Sequence, residues 1–221
     1  MMLILATIAF VGSHFWMSHS LRASMVGKFG AGGFSAIYSA ISLALFFWMI
    51  VEFRNSAKDA PYWVVGDILW VVASALTLLA AVLFVGSLVR NPSLPGASEN
   101  LAAQKPMGVF RVTRHPMMWG FALWGIAHVT IAPRMDNFIF CGGIIFLALV
   151  GSKAQERKKA RLIGVGWSTW LRQTSFFPRF ASLGKIGPIP WIAGTALWAI
   201  ATWAHNFFGA YGAGIFRWIN A

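Results

Sequence analysis

From Ile68 to Val89 the chain carries no charged side chain. A helix needs about 20 apolar residues to cross a hydrocarbon layer of ~30 Å. In lipid, only helices and closed barrels satisfy every backbone N–H and C=O. Similar apolar runs recur along all 221 residues, and 58% of the chain is hydrophobic against 11% charged. A soluble helical protein would set charges along one face of each helix, and these runs have none. The twelve tryptophans and nineteen phenylalanines also exceed what the core of a soluble domain this size would hold. The sequence therefore predicts an all-α, polytopic transmembrane helical bundle. It forms a single domain over 1–221 with about six spans, near 1–21, 34–51, 62–89, 116–132, 138–150 and 188–208.

The connections are marked by turn residues and charge. Arg22 and Lys28 close the first span, and Gly27, Gly30, Gly32 and Gly33 predict a turn-rich connection. Pro61, Tyr62 and Trp63 open the third span with interfacial aromatics. Arg90 to Gly96, with prolines at 92 and 95, breaks the helix after it. Pro116 suits a first helical turn, and Pro133 ends that span. The segment 152–185 is the one strongly charged stretch, and a glycine-rich, amphipathic tail follows Phe208.

The net charge of +12 and pI near 11 would suggest nucleic acid in a soluble protein. In a membrane protein the same charge marks cytoplasmic loops. Fourteen of the eighteen Lys and Arg fall in the first, third and fifth connections. That distribution predicts those loops in the cytoplasm, both termini on the other side, and the lipid bilayer rather than nucleic acid as partner. Met1 to Phe15 lacks the basic start and small-residue cleavage site of a secretory signal and reads as a retained first span. Cys141 stands alone, so no disulfide framework or thiolate metal cluster is expected.

Ionisable side chains inside hydrocarbon are costly, which makes intramembrane histidines site candidates. The five are His14, His19, His115, His128 and His205. His19 and His115 fall at helix ends beside Arg22 and Arg114, whereas His14 and His128 lie deeper. His115 and His128 are 13 residues apart, roughly 20 Å along a helix, so one small ligand cannot reach both. Gly120, Trp124 and His128 share one helix face, and glycine at that spacing admits another helix or a flat cofactor. Haem would suit this place, with His14 and His128 as axial ligands. A second constellation joins Arg114 and His115 to Glu156 and Arg157, followed by Gly164, Trp167 and Trp170. A carboxylate, cations and an aromatic turn on one face could hold a polar cofactor such as S-adenosylmethionine. The basic run 153–161 reads equally as a helix end contacting anionic lipid headgroups.

On these residues the sequence resembles the NnrU family of bacterial inner-membrane proteins. The resemblance rests on Gly12-Ser13-His14-Phe15, Ser18-His19, Leu21-Arg22, Arg114-His115-Pro116, Trp119-Gly120, Leu123-Trp124, Ala127-His128 and His205 before Phe208-Gly209. Where the family has a short Asn-Gly-Asp turn after His128, this chain has Ala132 to Asn137. The resemblance implies a link to nitrite and nitric oxide metabolism in denitrification. The chain is also similar to plant zeta-carotene isomerases, which implies haem b on His14 and His128 and a lipophilic polyene as substrate. Their cysteine three residues before the second histidine is Gly125 here. A weaker likeness, over the second half only, is to isoprenylcysteine carboxyl methyltransferases. It implies S-adenosylmethionine at Arg114, His115, Glu156 and Arg157 and a small thiol or lipid-anchored acceptor. A third expectation is a non-catalytic accessory protein of a membrane reductase, whose histidines only pack.

Overall fold

The computed structural model describes residues 1–94, 97–207 and 212–219. It is all-α. Helix α1 is Met2–Phe15 and runs into a π-helical turn at Trp16–Ser20. Then follow α2 (Arg22–Asn55), α3 (Asp67–Gly86), the short α4 (Glu99–Ala103), α5 (Pro116–Ile131), α6 (Met135–Ile163), α7 (Val165–Gln173), α8 (Pro188–Ala204) and α9 (Phe216–Ile219). Four helical stretches are long and apolar enough to cross a membrane: Met2–Ser20, Arg22–Asn55, Asp67–Gly86 and Met135–Leu162. The fourth and sixth expected spans are the helices α5 and α8, with 16 and 17 residues. Large apolar side chains cover the outside, among them Ile68 at 80% exposure and Ile192 at 70%. Such a surface belongs in lipid, and the protein is an integral membrane protein.

Several boundaries differ from the sequence expectation. Helix α3 starts at Asp67, with Pro61, Tyr62 and Trp63 in the loop before it and not in the span expected over 62–89. The glycine-rich connection at 27–33 is helical except at Gly30, whose φ of 71° breaks α2 into two pieces. Glycine permits a left-handed residue but does not impose one. Backbone deprived of water stays hydrogen-bonded where it can, so the other three glycines remain in the helix. The fifth span ends as an apolar run at Val150, yet α6 continues for three more turns through the basic residues to Ile163. Hydropathy marks where lipid ends, and a helix can continue into water. Gly164, at φ 65°, then turns the chain into α7. The expected helix break holds at Arg90 to Leu94, while Pro95, Gly96 and the tail residues 208–211 lie outside the described residues.

Helix α3 is the central element. It packs most extensively on α5 and α8, while α1 packs on α2 and α6. Two hydrophobic cores result. One gathers Val82, Leu83, Val109, Phe110, Trp167, Trp170 and Ile186, the other Leu3, Ala6, Phe10, Met49, Phe140 and Cys141. Trp124 of α5 packs against both. Contacts between loops define the two ends of the bundle. At one end Lys58 pairs with Asp136, the Tyr62 N–H donates to the Pro133 carbonyl and Arg217 pairs with Asp67. At the other end Arg22 lies close enough to Lys158 and Lys159 to act on both electrostatically. Gln155 and Lys159 also donate to the Ser93 and Leu94 carbonyls, so these basic connections lie at one end of the bundle.

Candidate functional site

The histidines of the apolar interior have a common local geometry. Each ring nitrogen Nδ1 reaches the carbonyl one helical turn earlier: His14 to Phe10 at 2.7 Å, His128 to Trp124 at 2.8 Å and His205 to Ala201 at 2.7 Å. A carbonyl can only accept, so Nδ1 carries a proton in each, and Nε2 is the nitrogen turned away from that bond. Histidines that bind metals are prepared in this way, with one nitrogen donating to a fixed acceptor and the other free to ligate.

The structure does not bring His14 and His128 into one cavity. His128 lies with His205 in a cavity of about 590 Å³ between α3, α5 and α8. The two rings are 6.3 Å apart, centre to centre. Trp124 stacks beside His128 at 4.1 Å. Trp70, Thr77, Phe84 and Trp198 complete much of the wall. His14 lines a second cavity of about 690 Å³ between α1, α2, α5 and α6, where Phe10 and Tyr38 meet its ring edge-on at 4.5 and 5.4 Å. Phe121 and Trp124 line both cavities. Sequence reasoning assigned His205 no role in a site. The only trace was a histidine at the end of the last apolar run, and nothing local says that this end folds back toward α5.

Of the two occupants expected at Gly120, another helix or a flat cofactor, the structure places a helix there. A Cβ there would stand 2.9 Å from the Ala80 carbonyl oxygen, so the missing side chain lets α3 close on α5. Gly194 does the same for α8, where a Cβ would meet the Val82 Cα at 2.5 Å. At the end of α5, Asn137 donates from Nδ2 to the carbonyls of His128 and Ala132, at 2.8 and 2.9 Å. Both carbonyls also accept backbone N–H groups, from Ala132 and Arg134, so Asn137 adds a second bond to each and fixes the backbone that carries His128. The chain's own Ala132–Asn137 turn supplies this anchor.

The second constellation does assemble. Glu156 Oε1 accepts from Arg114 Nε and, at 3.2 Å, from His115 Nε2, and its Oε2 accepts from Lys153 at 3.0 Å. Arg114 also donates to the Thr174 carbonyl. Arg114, His115 and Glu156 are all buried, while Arg157 is exposed. Burial pushes the His115 imidazole below its usual value, against the pull of the Glu156 carboxylate. His115 is then neutral, with its proton on Nε2 toward Glu156, and its Nδ1 has no partner among the described residues. The indole N–H groups of Trp167 and Trp170 are likewise buried without partners. The cluster fastens the start of α5 to α6 and to the segment after α7.

Comparison with known proteins adds a family. A family model described as NnrU protein matches residues 2–211. The chain is 29% identical over 191 residues to the chloroplastic 15-cis-zeta-carotene isomerase of Zea mays, a match over 82% of this chain and 50% of that protein. It is 28% identical over 216 residues to the Arabidopsis thaliana protein of the same name, over 86% of this chain and 57% of that one. The chain spans about half the length of the curated relatives it matches. No solved structure matches it.

Proposed function

Given that the chain belongs to the NnrU family, which it matches over residues 2–211, we propose that it binds haem b inside the membrane and acts in nitrite and nitric oxide metabolism. The observation that carries this reading is the facing pair His128 and His205, each with Nδ1 tied to a backbone carbonyl. Ring centres 6.3 Å apart would let one metal ion reach both imidazoles through bonds of about 2.0 Å. The donor set fits haem iron, and the apolar aromatic wall fits its macrocycle. Bound there, haem would supply a redox-active or Lewis-acidic iron. The protein's own part is to hold the two imidazoles side by side through their Nδ1–carbonyl bonds, exclude water with Trp70, Trp124 and Trp198, and anchor His128 through Asn137.

The relatives are named as isomerases of 15-cis-zeta-carotene. We extend that to a lipophilic polyene as the substrate class here, which the predominantly apolar wall of the His128–His205 cavity favours. The basic end of the bundle faces the cytoplasm in this reading, with the bacterial inner membrane as its location. Absorbance of the protein purified from haem-supplemented cells tests the cofactor. A Soret band lost in His128→Ala and weakened in His205→Ala is the expected result. A colourless wild type would overturn the haem reading. Loss in His14→Ala with none in His205→Ala would move the second ligand to the residue the isomerase resemblance implies.

A further inference from the structure

The second cavity is an amphipathic groove, and its chemistry differs along its length. On α6 it is lined by Ile144, Leu147, Ala148, Gly151, Ser152, Gln155 and Lys158. These positions form one helix face, and fourteen residues at 1.5 Å each make the groove about 21 Å long. Its interior half is aromatic and aliphatic, with Phe10, Phe46, Phe121 and Trp124. Its other end is polar and cationic, with Ser18, His19, Gln155 and Lys158.

That cationic end lacks a counter-charge. Lys158 lines this end and makes no ion pair among the described residues, and Arg22, whose guanidinium lies over the Phe34 ring at 5.4 Å, is within electrostatic range of it. Glu156 is the one acid in the stretch from Ser152 to Lys185, and Arg114, His115 and Lys153 already occupy it. Lys159 donates to the Leu94 carbonyl. A cation without a counter-charge at the mouth of an apolar channel, with a second one in electrostatic range, calls for an anion. In a membrane, an anion that continues into such a channel is a lipid. Leu43, which lines the groove and is 67% exposed, leaves the channel open toward the surrounding hydrocarbon.

We propose that this groove is a binding site for a single-chain anionic lipid. Its carboxylate or phosphate head lies at Lys158 and Arg22, and its acyl or prenyl chain lies along α6 toward Phe46 and Trp124. The site is separate from the His128–His205 cavity and does not depend on haem. Trp124 and Phe121 form a shared wall between the two. An amphiphile in the groove therefore presses on the same aromatic rings that line the histidine pair.

Equilibrium binding of radiolabelled palmitate to the whole protein in phosphatidylcholine nanodiscs tests this. Palmitate and hexadecyl phosphate should compete for one site, and hexadecanol, with the same chain and no charge, should bind about tenfold more weakly. Lys158→Ala and Arg22→Ala should each weaken palmitate about tenfold, while Lys158→Arg retains it. Gly151→Leu should abolish binding by filling the channel. That glycine lines the groove and has no contact closer than 3.6 Å at its Cβ position, so a longer side chain there projects into the channel. Equal binding of hexadecanol and palmitate would overturn the proposal, as would an unaltered affinity in both charge variants. Displacement of palmitate by inorganic phosphate as readily as by hexadecyl phosphate would also overturn it. The comparison of wild-type ligands decides the matter even if a charge variant fails to fold.

Discussion

Arg114 and Glu156 stand 42 residues apart in the chain and are joined by a buried charge-assisted hydrogen bond that pins the start of α5 to α6. The remaining lone pairs of the carboxylate go to His115 and Lys153. Glu156→Gln removes the charge and leaves the Arg114 guanidinium unpaired at a buried position. Breaking one side of such a pair costs about 3 kcal/mol or more. The variant should unfold at a clearly lower temperature in detergent, whereas the double variant Arg114→Met with Glu156→Met should recover much of the loss. A Glu156→Gln protein that melts with the wild type would show that the cluster bears no structural load.

The sequence makes this bundle legible at the level of runs and charges but not of contacts. The bounds of α5 were readable because Pro116 and Pro133 punctuate it and its interior is uniformly apolar. The grouping of Arg114, His115 and Glu156 was also readable, since a lone carboxylate among cations beside a membrane must find partners. The join between His128 and His205 was not. It depends on α8 packing against α3 through Gly194, and a glycine in an apolar run gives no sign of which helix it admits. At Gly120 the gap was readable and a second helix was one of its two expected occupants, but that the helix is α3 was not.

Acid should loosen the same cluster through His115. Burial lowers the folded-state value of this imidazole below its ordinary value of about 6.5. As pH falls below about 6.5 the unfolded chain takes up a proton that the folded protein resists, so stability falls until the lowered folded value is reached. Above about 6.5 both states are neutral and the contribution is fully present. His115→Gln keeps a donor for Glu156 and removes the titration. Thermal unfolding followed from about pH 7 to pH 5 should decline less steeply in this variant than in the wild type. An identical decline would place the acid sensitivity elsewhere.

Helix packing should also control the histidine pair from a distance. His205 follows directly on the end of α8, and α8 meets α3 where Gly194 allows backbone contact with Val82. An added methyl group would fall 2.5 Å from the Val82 Cα and 2.8 Å from its N, neither of which can rotate away. Gly194→Ala must therefore shift α8, at a cost of about 1–3 kcal/mol for overpacking. The shift carries His205 away from His128 and unmakes the 6.3 Å spacing. The variant should fold yet bind haem more weakly, with a Soret band reduced in parallel with that of His205→Ala. Gly12→Ala is the control, because nothing lies within 4 Å of its Cβ position and alanine favours a helix interior by about 0.5–1 kcal/mol. It should leave both stability and the Soret band intact. If Gly194→Ala lowers stability and leaves the spectrum unchanged, then His205 is not a ligand and α8 serves only to close the bundle.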